Sequence, residues 1–217
     1  QASAVHWADS RAVARERERR EAMWLRLAAI GGPDRVTVQQ IQEAGLRPAN
    51  TGQGVFRDLT RTSEIGPAGV TLTLLDLGTS YEDEFDDEGG TYHYPSGGGR
   101  RGRDDAEVEA TKTAYRLGLP VFVVLRGPEP RLRDVRRGWV TDFDDRRGVF
   151  LISFDSAILQ EPRLLVPPAT TVRERVMTLR LARPGQRAFA FRVFKRYGAS
   201  CALCDHAVRS ILEAAHV

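Results

Sequence analysis

Four short β-rich runs constrain this chain more than any other feature: Val70–Leu75, Val121–Leu125, Trp139–Phe143 and Val149–Phe154, each bounded by Gly, Pro or Asp. Runs of this length between backbone breakers read as strands. Their number and spacing predict a small, partly closed β-barrel. Helical patterns flank them at Ser10–Ala29, Thr37–Ala44 and Asp105–Leu117, so the expected fold class is α+β. The first helix is strongly charged from Arg11 to Glu21 and then runs into Met23, Trp24, Leu25 and Leu27. It is expected to stop at Gly31-Gly32-Pro33 and to serve as a packing or oligomer helix. Its arginines alternate with glutamates, which predicts a solvated face over a DNA contact.

Pro162, Pro167 and Pro168 interrupt regular structure and mark a domain boundary. The organisation expected is a charged helix over 1–34, a main domain over 35–165, a linker over 166–186 and a second domain beginning at 187. At 217 residues the chain is long enough for a real core. A net charge of +3 permits nucleic-acid binding but is too mild to diagnose it. Nearly all basic residues are arginine, which suits bidentate contacts to phosphate and guanine; a GC-rich genome produces the same bias. No apolar run is long enough to span a bilayer and no secretory signal opens the chain, so a cytoplasmic location without a membrane partner is expected. The first residue is not Met and Val217 directly follows a motif, so both ends read as cut.

The stretch from Tyr81 to Arg103 carries the densest chemistry: a tyrosine-bracketed acidic segment, then Gly97-Gly98-Gly99-Arg100-Arg101-Gly102-Arg103. Two aromatic faces can sandwich a base taken out of its stack while a carboxylate accepts from its exocyclic amino group. Glycines and arginines suit a backbone lying against phosphates. The plain alternative is an acidic surface loop followed by a hinge.

This stretch resembles the signature loop of SRA domains, readers that flip a methylated cytosine, through Tyr81-Glu82-Asp83-Glu84, Asp86, Tyr94, Gly98, Gly99 and Arg100. Glu43-Ala44-Gly45-Leu46-Arg47-Pro48 is similar to an upstream motif of that family, and Gly118-Leu119-Pro120-Val121 to a downstream one. The resemblance covers roughly residues 35 to 160. It implies a PUA-like barrel in which Tyr81 and Tyr94 stack on the base and Glu84, or Asp86, accepts from its amino group. Gly98, Gly99, Arg100, Arg101 and Arg103 would engage phosphates or fill the vacated space. Glu84 replaces the family's Asp, Pro95 lacks the N–H usually offered to the base edge, and one inserted residue lets Tyr92 compete with Tyr94 for stacking. The modified base therefore stays open, with 5-methylcytosine and 5-hydroxymethylcytosine foremost.

Near the C-terminus, Cys201-Ala202-Leu203-Cys204 has the spacing of a metal knuckle. A redox role is the alternative, although no thioredoxin-like strand pattern precedes the pair. His206 beside it reads as a surface residue. The phrases Arg196-Tyr197 through Cys204 and Leu212-Glu213-Ala214-Ala215-His216 resemble the opening half of HNH endonucleases, a ββα-metal fold. That resemblance implies His216 as general base, a divalent ion (Mg or Mn) for phosphodiester hydrolysis, and a structural zinc at Cys201 and Cys204. Ala215 stands where many such enzymes carry a metal ligand, and their later Asn and His would lie beyond Val217, so this chain alone is expected not to cut DNA.

The combined expectation is a modification-dependent DNA endonuclease acting on duplex DNA that carries a modified base, working as a homodimer. Its competitors are a non-catalytic reader and a related barrel that binds RNA or N6-methyladenine.

Overall fold

The computed structural model describes residues 10–47, 54–76, 84–95, 101–154 and 186–197. The elements run α1 (Ser10–Ala29), β1 (Val36–Thr37), α2 (Val38–Glu43), β2 (Val55–Arg57), α3 (Leu59–Thr62), β3 (Thr71–Asp76), β4 (Glu84–Phe85), β5 (Gly89–His93), α4 (Arg101–Leu117), β6 (Val121–Arg126), β7 (Leu132–Asp144), β8 (Val149–Phe154) and α5 (Gln186–Tyr197). Each of the four predicted runs lies on a strand, and the three predicted helices are present. Among the described residues no helix is long and apolar enough to cross a membrane.

Helix boundaries follow from local chemistry. α1 ends as its glycines predict: Gly31 adopts φ +100°, and the N–H groups of Gly31 and Gly32 donate to the carbonyls of Ala28 and Leu27. This is the Schellman arrangement, which satisfies carbonyls that the helix leaves open. α2 starts with a capping box in which the Thr37 hydroxyl accepts from Gln40 N–H and the Gln40 side chain accepts from Thr37 N–H, worth about 1 kcal/mol.

Eight strands form one sheet in the order β2-β3-β6-β7-β8-β5-β4, with β1 paired to β7. β3 and β6 are parallel, with α4 in the crossover between them; the other pairs are antiparallel. Thirteen-residue β7 pairs with β6 through its first half and with β8 through its second. Its register shifts between Val140 and Asp142, and such a bulge bends a strand and increases its twist.

Among the described residues no ladder joins β2 to β4, so the expected barrel is an open sheet. The sheet nevertheless curls around one interior. Val55, Leu74, Tyr92, Val123, Val140 and Phe150, drawn from six strands, share a single buried cluster. A Cβ on Gly54, beside β2, would lie 2.8 Å from the Tyr92 hydroxyl on β5. Helices flank this sheet, as the α+β class requires.

β6 separates two cores by simple alternation. Val121 and Val123 join the interior cluster, whereas Phe122 and Val124 face a second one with Met23 and Leu27 of α1 and Ile41 of α2. α1 also places Ala12 in the first cluster. It is thus a packing helix of this unit.

The expectation of a solvated charged face on α1 is corrected at two residues. Arg20 is 0% exposed and Glu16 4%. Arg20 Nε donates to Glu16 at 2.7 Å, and its Nη1 donates to the carbonyls of Thr71 and Pro120, at the starts of β3 and β6. Arg19 adds two bonds to Glu16 and reaches Asp58 at 2.9 Å. Burial opposes ionisation of Glu16, but the two guanidiniums overcome it and hold the carboxyl below the usual glutamate range.

Replacing Arg20 with Met would leave Glu16 with less compensation and two strand-end carbonyls without a donor. Arg20→Met is expected to cost about 3 kcal/mol, read as a lowered urea midpoint, and Glu16→Leu in the same chain is expected to recover only part of it. Because Glu16 titrates below its unfolded value, its stabilisation is complete at neutral pH and is lost as pH falls below the ordinary glutamate range. Glu16→Gln should therefore flatten the acid limb of a stability–pH curve.

Candidate nucleic-acid interface

The acidic half of the tyrosine-bracketed stretch is a hairpin and not a free loop. β4 pairs with β5, with Glu84 opposite Thr91 and Phe85 opposite Gly90. Asp86 makes the turn: its Oδ1 accepts from the N–H groups of Glu88 and Gly89, at 2.9 and 3.1 Å, and its own N–H donates to Gly89. A carboxylate accepting from N–H groups two and three residues ahead is the usual Asx device for reversing a chain. Gly89 is required, because a Cβ there would sit 2.1 Å from the Ile152 carbonyl oxygen.

β5 anchors the hairpin on β8 through five residue pairs, from Gly89↔Ser153 to His93↔Val149. The Phe154 N–H donates to Glu88, and Phe85 stacks on Phe154 with centroids 5.7 Å apart. β4 is the end strand of the sheet. Glu84 and the Asp86 turn therefore stand on the sheet's edge, held by backbone pairing.

Strand alternation sends Tyr92 and Tyr94 to the same side, with different outcomes. Tyr92 is 3% exposed and belongs to the interior, so the structure gives it a core position. Tyr94 packs at the rim, tilted on Phe150 at 4.5 Å. Its hydroxyl donates to Asp145 Oδ1 at 2.8 Å, and Lys112 Nζ donates to the same oxygen at 2.6 Å. Lys112 also stands 5.7 Å from the Tyr94 centroid and 4.8 Å from that of Phe143. Tyr94 is thereby a fixed wall. Burial, then the hydrogen bond to Asp145, raises its pKa far above the ordinary tyrosine value. The bond from Lys112 holds Asp145 below the carboxylate range.

The basic half begins a helix sooner than predicted. α4 starts at Arg101, not Asp105, so Arg101 and Arg103 occupy its first turn. Arg103 Nε donates to Glu107 at 2.9 Å. Cations here oppose the helix dipole, and the following Asp104 partly offsets them. The helix start also presents N–H groups suited to an anion.

Tyr81, Gly98, Gly99 and Arg100 lie outside the described residues, as do Cys201, Cys204 and His216. Among the described residues, no group of three His, Cys, Asp or Glu side chains is arranged to hold a metal ion. What is described before Cys201 is α5. It docks on the outer side of β7 and β8: Phe191 packs with Val149 and Leu151, and Lys195 Nζ bonds Asp142 at 2.7 Å and lies 5.5 Å from the Phe143 centroid.

Asp145 and Lys112 have no place in the sequence reading. One signal points to Lys112: the chain has only two lysines, Lys112 and Lys195, among 32 basic residues. Both meet Phe143.

No protein-family model matches the chain, and no curated protein matches it. A solved structure similar to part of it is described as a modification-dependent TagI restriction endonuclease. The two share 18% identity at a TM-score of 0.36, over 57% of this chain and 49% of that one. The chain thus spans about half the length of that protein, and at this level of overlap the likeness fixes neither fold nor activity.

The Asp145 latch gives a direct titration test. Asp145→Asn should lower the pH at which Tyr94 ionises, read as tyrosinate absorbance during an alkaline titration, with Tyr94→Phe identifying the band. The raised tyrosine value contributes stability that is complete below the ordinary tyrosine range and lost as pH rises through the folded value. An unchanged titration curve in Asp145→Asn would mean that the hydrogen bond does not hold the phenol.

Proposed function

We propose that this chain is the modified-base reader of a modification-dependent DNA endonuclease. The observation that carries the reading is the edge hairpin. It sets Glu84 on the last strand of a curled sheet, close in sequence to Tyr81 on one side and to a rigid Tyr94 and the Arg101–Arg103 helix start on the other. A flipped base needs an aromatic wall, a hydrogen-bond acceptor for its amino group and cationic or N–H groups for the displaced backbone. This segment carries all three classes close together in sequence, and its described part, β4, β5 and the start of α4, is a preformed scaffold.

In this reading Tyr81 and Tyr94 form the stacking pair, and Glu84 accepts from the exocyclic amino group. Asp86, already engaged in the turn, positions the hairpin. Gly98, Gly99 and Arg100 carry phosphate contacts, joined by Arg101 and Arg103 at the start of α4. The curled open sheet is the PUA-like core of such a reader. Hydrolysis belongs to the HNH-like portion that begins at 187, with His216 as general base and Cys201 and Cys204 as the first half of a zinc site. A divalent ion would supply charge stabilisation to the phosphate there. Cutting both strands requires two such portions and hence a homodimer.

Binding of matched duplexes carrying cytosine, 5-methylcytosine, 5-hydroxymethylcytosine or N6-methyladenine tests the reading. Preference for one modified cytosine is expected. Tyr81→Ala should reduce that preference on the order of 10-fold or more, the worth of one stacked base, while leaving unmodified binding nearly intact. Equal affinity for all four duplexes, falling uniformly with salt, would leave only phosphate binding. Selection of N6-methyladenine would replace the cytosine assignment.

A further inference from the structure

A second basic surface lies away from the hairpin, where α1 passes over α2, β2 and α3. Two adjoining grooves of about 430 and 470 Å³ run there and share Arg19 and Arg61. Arg15 completes the arginines of the first; Arg26 and Arg47 those of the second. The carboxylates on the lining are Glu16, Asp58 and Glu64. Glu64 pairs with Arg15 at 3.2 Å, an exposed pair that contributes little and leaves Arg15 open to exchange for a phosphate. Glu16 is turned inward on buried Arg20, so its charge is largely offset within the protein. Asp58 holds Arg19 at 2.9 Å but stands 3.9 Å from Arg61, whose side chain is 68% exposed. Arg26 is exposed.

We propose that this groove is a second DNA-binding track, which takes the sugar–phosphate backbone of the duplex. The inference rests on the reader assignment above for its ligand. Two observations carry it. The arginines are strung along a line: Arg15, Arg19 and Arg26 share one side of α1 across eleven residues, about 16 Å of helix at 1.5 Å per residue. That length matches roughly five nucleotides of one DNA strand at 3.4 Å each and exceeds any single phosphate. The groove is exposed at Arg26 and Arg61, as access for a polymer requires.

The test is the salt dependence of duplex binding by the 217-residue chain, measured by fluorescence anisotropy on modified and unmodified duplexes. Removing Arg26 and Arg61 together, as Arg26→Ala/Arg61→Ala, should lower the slope of log K against log salt by about 2, near one for each phosphate that is no longer neutralised. The ratio of modified to unmodified affinity should stay as in the wild type. Arg26→Lys/Arg61→Lys should keep most of the slope. Arg126→Ala/Arg131→Ala removes two exposed arginines outside the groove and should leave it unchanged. An unaltered slope in the groove variant, at an unchanged thermal midpoint, would overturn the proposal, as would an equal fall in the control pair. The two readings fail separately. A wild type without modification preference sinks the reader, while a groove-specific fall in slope still establishes the track.

Discussion

The buried Glu16–Arg20 pair is the interaction on which the rest of this structure depends. β3 and β6 are the only parallel neighbours among the described strands, and their starts leave the carbonyls of Thr71 and Pro120 facing the underside of α1. Arg20 supplies donors to both. A guanidinium with no exposure is tolerable only when a counter-charge is close, and Glu16, one turn earlier, provides it at 2.7 Å. The network then extends outward through Arg19 to Asp58 at the head of α3. One helix face thus fixes the central strand pair and the segment beside β2, which places the groove arginines along a wall that is structurally committed.

A second cluster does comparable work at the opposite end of the sheet. The β7–β8 turn offers Asp145 to Tyr94 and Lys112, while Asp142 on β7 takes Lys195 from α5. Phe143 lies between the two ammonium groups. The rim tyrosine and the crossover helix are consequently tied to the same short turn, and α5 to β7 just before it. Each tie is modest alone: Asp145 is 59% exposed, and exposed pairs contribute little. Their value is positional. Tyr94 cannot swing away from Phe150 without giving up both its hydrogen bond and its place beside the ammonium.

Much of the fold was legible because period and punctuation agree. Val149–Phe154 is bounded by Gly148 and Asp155 and is a strand over those same residues; Gly31 and Gly32 end α1 as read. β5 is not legible in the sequence because Gly89-Gly90-Thr91-Tyr92-His93 has the composition of a flexible loop. The glycines are there for close approach to β8, and the strand is made by pairing rather than propensity. The start of α4 is hidden for a related reason: arginines and a glycine argue against a helix start, and the Arg103–Glu107 pair that braces its first turn exists only once the helix has formed. Of the candidate site, the sequence exposed the residue types. It could not show that Asp86 is consumed by its own turn, that Tyr92 faces the core, or that Asp145, fifty-one positions away, secures Tyr94.

The charge of α1 shows why composition alone underestimated this surface. Read linearly, Arg11 to Glu21 alternates in sign and so looks neutral and solvated. On a helix, residues three or four apart share a side, and that geometry sorts the charges. Arg15 and Arg19 line the grooves, and Arg26 extends that side one turn beyond the charged run. Glu16 points at Arg20 in the interior, and Glu21 is taken by Arg137 of β7. A net charge of only +3 is therefore compatible with a locally cationic groove, because Glu16 and Glu21 are spent on internal or lateral pairs while Asp58 and Glu64 offset only part of the five arginines on its lining. The distribution of charge, set by helical phase and by which carboxylates the fold itself consumes, decides what such a surface can hold.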